Sequence, residues 1–200
     1  TQGITSVGFQ PDLVVVKRAG ATVGIWKSSS MGGTVSNFFN AAAELASAGI
    51  NSLDATGFTV GNNAAVNTSA NTYYYFAFKN VSGQLDVGTY TGNGTDNRNI
   101  TSTDDAGLTF QPDFAFVKVT TAVGGVASVR EHYGDRSFVF DDNNSAANHI
   151  QSLRSAGGFQ VGTSTSVNTN LSTHHFAVFG GAAPQAAGTG TFEIANGTYS

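Results

Sequence analysis

The sequence contains no cysteine among its 200 residues, and charged side chains make up only 11% of it. Without cysteine, the chain forms no disulfide framework, thiolate zinc site or cysteine nucleophile. Nine Lys and Arg against 13 Asp and Glu give a formal net charge of −4, which argues against the basic footprint of a nucleic-acid-binding protein. Because no apolar run approaches the roughly 18 residues of a membrane span, we expect neither nucleic acid nor membrane as a partner.

Neutral polar residues take the place of the missing charges. Thr (23), Ser (19), Asn (17) and Gly (25) together occupy 84 of the 200 positions, so the polar surface consists mainly of hydroxyls and amides. Hydrophobic residues make up 40% of the chain, which is enough for a core and too many for a disordered protein. The chain begins at Thr1 and its single methionine is Met31, so we expect a processed chain or part of a longer polypeptide.

The chain contains one duplicated unit. The sequence Phe-Gln-Pro-Asp at residues 9–12 recurs at residues 110–113, which is an offset of 101 residues. Four further matches keep an offset of 100 or 101, and they pair residues 50–53 with 150–153, 57–61 with 158–162, 66–68 with 167–169, and 76–78 with 176–178. A constant offset indicates a tandem repeat rather than chance similarity. The copies differ most over residues 19–49 and 119–149, where we expect loops and individual function.

The local patterns predict strands. Leu13–Arg18 is a short, β-branched run between Pro-Asp and Ala-Gly, which is typical of a buried strand. Residues 50–61 predict a hairpin, in which Gly57 supplies the turn. A helical pattern occurs in the Ala-rich segment 40–48 and in its counterpart 145–155, and a short helix stays open there. Many short strands separated by turns predict an all-β fold of two tandem antiparallel β-sandwich repeats of about 100 residues.

The predicted domains are residues 1–86 and 87–200, and their ends do not match. A strand-like segment at residues 87–91 precedes the second repeat, whereas the first repeat begins abruptly at residues 4–5. The C-terminal segment 188–200 has a similar Asn-Gly-Thr character. We therefore expect it to fill the missing strand position of the first repeat, within the chain or in a neighbouring subunit, although an ordinary closing strand of the second repeat stays open. The residues expected to form this assembly strand are Thr191, Phe192, Glu193 and Ile194.

The repeated motif resembles one found in bacteriophage tail and other virion structural proteins. Residues 8–17 read GFQPDLVVVK, which is similar to the GF-x-PDLVWIK motif of that family, and the later hairpin and aromatic strand follow in the family's order. The resemblance covers most of both repeats and implies a jelly-roll or concanavalin-like β-sandwich in a virion or adhesion protein. It departs from the family where tryptophans are replaced by Val15 and by Phe76 or Phe78. The family motif carries no catalytic residue to this chain.

No residue pattern points to catalysis. His174 and His175 are adjacent in a predicted strand, so their side chains lie on opposite faces and cannot chelate one metal together. The charged segment Arg130–Arg136, which contains Glu131, His132 and Asp135, has no counterpart in the first repeat. A duplicated catalytic site is therefore excluded, and we expect the protein not to be an enzyme.

Two kinds of binding stay open. Asp141, Asp142 and Asn143 offer oxygen ligands for Ca²⁺, although turn formation explains the same residues. Trp26, the only tryptophan, and Tyr133 at a similar place in the second repeat are candidates for contact with a glycan, although a place in the core or in an interface explains Trp26 as well. No other cofactor is expected.

The sequence thus predicts a non-enzymatic structural protein at work outside cells or on a virion surface. Its expected partners are copies of itself, in a phage tail, fibre or decoration or in an extracellular filament. A carbohydrate-binding adhesion module is the alternative.

Overall fold

The computed structural model describes residues 1–40, 42–104, 108–121, 128–130, 136–140, 146–180 and 194–200. Across these residues the fold is all-β, as predicted, with antiparallel strands and one short helix, α1 (Thr165–Asn168). The strands are β1 (Gln2–Ile4), β2 (Leu13–Arg18), β3 (Ile25–Ser28), β4 (Asn37–Phe38), β5 (Ile50–Asp54), β6 (Gly57–Val60), β7 (Tyr73–Phe78), β8 (Leu85–Thr91), β9 (Arg98–Ile100), β10 (Phe114–Val119), β11 (Ser128–Arg130), β12 (Arg136–Val139), β13 (Ala146–Ala147), β14 (Ile150–Leu153), β15 (Phe159–Val161), β16 (Thr173–Phe179) and β17 (Ile194–Tyr199). None of the described helical residues forms a segment long and apolar enough to cross a membrane.

The chain divides into two compact units. The first contains Thr1–Phe39, Glu44–Asn80 and the C-terminal strand β17, and the second contains Asn40–Ala43 and the strands from β8 to β16. The predicted domain boundary between residues 86 and 87 falls inside β8. The whole of β8 belongs to the second unit because it pairs with β16 along its full length, from Leu85 opposite Phe179 to Thr91 opposite Thr173.

The first unit has two antiparallel sheets around one core. Its smaller sheet has the order β1-β6-β5, and its larger sheet has the order β17-β7-β2-β3-β4. On β2, the side chains of Val14 and Val16 are fully buried, because this face of the larger sheet packs on the core. The buried core side chains come from both sheets and the loops between their strands: Ile4, Val7, Val14, Val16, Ile25, Ile50, Phe58, Val60, Val66, Tyr73, Tyr75 and Ala77.

The second unit repeats this plan with strands of its own. Its smaller sheet has the order β14-β15-β9, and its larger sheet has the order β13-β12-β11-β10-β16-β8. The core again draws on both sheets, with Tyr90, Ile100, Leu108, Ala115, Val117, Ile150, Phe159, Val161, Val167, Phe176 and Val178. The duplication read from the sequence is therefore visible as two similar strand orders.

The described residues of the two segments with a helical pattern do not form helices. Leu45 in the first segment makes a backbone bridge to Ser36, and Ala48 has a positive φ of 70°, which ends any helical run. The described part of the second segment contains β13 and β14, with Asn148 at the equivalent positive φ of 62°. The short helix α1 lies elsewhere. Its N-cap residue is Ser164, whose side chain accepts a hydrogen bond from the backbone amide of Ser166.

Gly57, at the turn between β5 and β6, is fixed by its close approach to β1. A Cβ atom at this position would lie 1.8 Å from the carbonyl oxygen of Ile4. The second unit repeats the contact, since a Cβ at Gly158 would lie 2.0 Å from the carbonyl oxygen of Ile100. Because the obstructing atom is backbone, no side-chain rotation relieves the clash.

We expect Gly57→Ala to lower the free energy of unfolding of the first unit by about 2–4 kcal/mol, since β1 must move away from β6. Gly32→Ala is the matched control, because a Cβ there meets no atom within 4 Å. Urea unfolding followed by the fluorescence of Trp26, the single tryptophan, reports on the first unit. Equal midpoints for the two variants would contradict the prediction.

Candidate functional site

The C-terminal strand completes the first unit. β17 lies antiparallel to β7 in continuous register, from Ile194 opposite Phe78 to Tyr199 opposite Tyr73. The other edge of β7 is occupied by β2, with Val15 opposite Phe76. β17 therefore closes one edge of a sheet whose other strands all come from the first 78 residues.

Tyr199 anchors this strand in the core of the first unit. Its ring stacks on that of Tyr73, with centroids 5.1 Å apart and planes inclined by 14°, and it meets the ring of Phe58 edge-on at 6.4 Å. Its hydroxyl donates a 2.7 Å hydrogen bond to the carbonyl oxygen of Val66. Burial, with a smaller effect of Tyr73, holds the pKa of Tyr199 well above the ordinary value of 10.0, so the hydroxyl keeps its proton and remains a donor.

Gly197 allows the strand to approach the neighbouring aromatic residue. It lies opposite Tyr75 on β7, and a Cβ at this position would lie 2.8–2.9 Å from the hydroxyl and ring carbons of that tyrosine. The Tyr75 ring is thereby free to meet Phe58 in an edge-to-face contact with centroids 5.2 Å apart. A glycine at residue 197 and a tyrosine at residue 199 thus form one recognition element.

The second unit contains the same element on β8. Gly88 lies opposite Phe176, and Tyr90 lies opposite His174. The rings of Tyr90 and His174 stack at 5.0 Å and 8°, and the Tyr90 hydroxyl donates to the carbonyl oxygen of Val167. Val66 and Val167 are a matched pair in the two repeats, so β17 holds in the first unit the place that β8 holds in the second.

The two strands reach their equivalent places by different routes. β8 is followed by β9 of its own unit after the short segment 92–97. β17 comes from the opposite end of the chain, and there the side-chain amide of Gln2 donates a 3.3 Å hydrogen bond to the carbonyl oxygen of Ser200. The strand and the sheet that accepts it are therefore far apart in sequence.

The residues predicted for the assembly strand fall just before this element. Thr191, Phe192 and Glu193 lie outside the described residues, and Ile194 is the first residue of β17. Sequence reasoning did not single out Gly197 and Tyr199. The repeated sequence Gly-Thr-Tyr, at residues 88–90 and again at 197–199, is the signal that identifies them.

Of the predicted glycan and metal ligands, Trp26 alone lies among the described residues. The side chain of Trp26 is 0% exposed and packs near Phe39, with ring centroids 6.3 Å apart, so its indole presents no face to a glycan and its proposed role as a glycan contact is wrong. Tyr133, Asp141, Asp142 and Asn143 lie outside the described residues. Within the part of the chain that the structure describes, no group of three or more His, Asp or Glu could hold a metal ion.

No protein-family model matches this chain, and neither does any curated protein or solved structure with which it was compared.

The Tyr199 anchor predicts a graded loss of stability. Tyr199→Phe keeps the stacked ring but leaves the Val66 carbonyl without its donor, which should cost about 1 kcal/mol. Tyr199→Ala removes the ring as well and should cost about 3–5 kcal/mol. Thr198→Ala, at an exposed position of the same strand, is the control. Urea midpoints that are equal for all three variants would show that β17 does not contribute to the first unit.

His174 makes the second unit sensitive to acid. Its Nε2 accepts a 3.3 Å hydrogen bond from the backbone amide of Thr169, and its Nδ1 lies 3.0 Å from the carbonyl oxygen of Ser172. The imidazole is therefore neutral with the proton on Nδ1. Burial, assisted by the charge of Arg98, lowers the pKa of His174 to about 4. In the first unit the equivalent acceptor is the hydroxyl of Tyr73, which takes a 2.7 Å hydrogen bond from Thr68.

Because this pKa is lower in the folded than in the unfolded state, the unfolded chain takes up the proton first as the pH falls. We expect the second unit to lose roughly 3 kcal/mol of stability between about pH 6.5 and pH 4. His174→Tyr, which copies Tyr73, should remove the dependence, and Tyr73→His should introduce it in the first unit. Urea unfolding from pH 4 to pH 8, followed by circular dichroism and Trp26 fluorescence, separates the two. A pH dependence unchanged by His174→Tyr would assign it to other groups.

Proposed function

We propose that this protein is a non-enzymatic structural subunit, built from two jelly-roll or concanavalin-like sandwiches, that assembles by exchanging its C-terminal strand with copies of itself. The observation that carries the proposal is the position of β17, which fills an edge of the first unit and places Tyr199 between Tyr73 and Phe58. In a polymer, β17 of one subunit would make these contacts in the first unit of the next.

Strand exchange costs little free energy, because the exchanged strand makes no contact that it does not already make in its own chain. The same main-chain hydrogen bonds to β7 and the same Tyr199 stacking form whether β17 comes from its own chain or from another. The donor strand and the accepting sheet are different surfaces, so the contact is heterologous and continues from subunit to subunit. Continued in one direction, such a contact generates a filament or ring, whereas reciprocal exchange between two subunits closes a dimer.

The composition suits an assembly that is held together without ionic contacts. The absence of cysteine and the low charge leave hydrogen bonds and apolar contacts as the assembly forces, and these are little affected by salt. The resemblance of both repeats to virion proteins favours a phage tail, fibre or decoration, and the heterologous strand contact favours an extracellular filament. Both settings use the same subunit contact and require no cofactor.

Engineered disulfides test the exchange directly, because the natural chain has no cysteine to interfere. Asn196 on β17 and Phe76 on β7 lie opposite each other, and both are exposed. We expect a mixture of Asn196→Cys and Phe76→Cys proteins, unfolded together, refolded and oxidised, to give a mixed disulfide dimer. Asn196→Cys mixed with Phe138→Cys, at an exposed position of the second unit, should give none.

The double variant, with both cysteines in one chain, completes this experiment. A ladder of disulfide-linked multimers on a non-reducing gel would support exchange between subunits. An internal disulfide that forms in the double variant, together with no specific dimer in the mixture, would show that β17 stays in its own chain and would overturn the proposed assembly.

A further inference from the structure

We propose that a cleft in the first unit binds a neutral saccharide, as a function separate from strand exchange. The cleft has a volume of about 470 Å³, which lies within the range of roughly 300–1,000 Å³ that is usual for small-molecule sites. Its walls come from four parts of the first unit, namely the Gln-Pro-Asp segment before β2, the loop after β3, the end of β5 and the residue that follows β7.

The cleft is held open by hydrogen bonds in its walls. The ammonium group of Lys27 donates to three carbonyl oxygens of one loop, those of Met31 at 3.3 Å, Gly33 at 2.9 Å and Val35 at 2.7 Å. In the Gln-Pro-Asp segment, the side chain of Asp12 accepts a hydrogen bond of 2.8 Å from the backbone amide of Asn80. A site formed before the ligand arrives loses less entropy on binding.

Two further contacts tie the Gln-Pro-Asp segment to the loop after β3 and to the end of β5. The backbone amide of Ser29 donates to the carbonyl oxygen of Asp12 at 2.8 Å, and the side-chain amide of Gln10 donates to the carbonyl oxygen of Leu53 at 3.2 Å. The second carboxylate oxygen of Asp12 and the hydroxyls of Ser29 and Ser52 make no hydrogen bond to the described residues, and all three residues line the cleft.

The charges of the cleft select against ionic ligands. An anion would meet the carboxylate of Asp12, and both cations of the lining are already engaged. All three protons of the Lys27 ammonium group have carbonyl acceptors, and Lys79 has an interaction of its own. A cation would meet the positive charges of Lys27 and Lys79, which both line the cleft. A neutral ligand with many hydroxyls can instead donate to Asp12 and exchange hydrogen bonds with the serines.

The lining also provides the apolar contacts that the C–H faces of a sugar require. Pro11, Met31 and Leu53 lie among the polar groups of the cleft. The lining is mainly polar, so hydrogen bonds would orient a ligand while these three side chains contact its apolar faces. The combination of carboxylate, hydroxyl and apolar surface therefore points to one or two sugar residues rather than to an ion.

Met31 gives this proposal a specific reporter, because it is the only methionine of the chain and lines the cleft. The full chain labelled with ¹³C at the methionine methyl should show one methyl resonance. We would titrate it with glucose, galactose, N-acetylglucosamine, maltose, lactose and cellobiose, and with sodium sulfate as the ionic probe. We expect a saturable shift with at least one sugar and none with sulfate.

Ser52→Leu, which fills the cleft and removes a hydroxyl, should weaken binding at least tenfold. Ser152→Leu, at the matched position of the second repeat, should bind as the natural chain does. Trp26 fluorescence establishes that the first unit of each variant is folded. The proposal is overturned by no saturable shift with any of the six sugars, by a saturable shift with sulfate, or by equal binding in the two variants. None of these results bears on strand exchange, which the disulfide experiment tests by itself.

Discussion

The first unit depends on one constraint, which is that the edge of β7 must be closed by a strand with a tyrosine at its end. Tyr199 meets this constraint through its stack on Tyr73 and its hydrogen bond to the Val66 carbonyl. Without β17, the edge of β7 would present unpaired amides and carbonyls, and two aromatic core residues would be exposed to solvent. The folding of residues 1–80 is thus coupled to the far end of the chain.

In the second unit, the closing strand β8 is adjacent in sequence to the other strands of the same unit. β8 runs directly into its unit, so Tyr90 reaches its pocket through a short connection. Loop closure costs more entropy when the joined segments lie far apart in sequence. The equivalent contacts therefore form in the second unit at a lower entropic cost than in the first.

Much of the architecture could be predicted because the duplication repeats its local signals. Proline and aspartate before an apolar run predicted β2, which is a short-range effect of backbone geometry. The β5–β6 hairpin was also predicted, but Gly57 has no positive φ there, and its close approach to Ile4 is what requires a glycine. The segment at residues 40–48 was misleading, because its alanine-rich pattern describes helix propensity while Leu45 pairs with Ser36 instead. Tertiary contacts decide such short segments.

The residues of the cleft and the strand anchor were harder to predict for a different reason. The side chain of Trp26 is large and aromatic, which is equally consistent with a binding surface and with a core, and only its complete burial distinguishes them. Lys27 looks like an ordinary surface charge beside it. Its role depends on three backbone carbonyls that face the same point, and no sequence pattern encodes that arrangement.

Lys27 also shows how the cleft differs in rigidity from the strand that we propose to be exchanged. Burial lowers the pKa of Lys27 to about 8, so in the folded protein its charged form is maintained at neutral pH at a cost in stability. That cost is sustained because the three carbonyls of the loop need donors. A loop fixed in this way suits a preformed binding site, whereas β17, in the proposed exchange, would make the same contacts in a neighbouring chain as in its own. Rigidity at the cleft and interchangeability at the edge can therefore coexist within one unit.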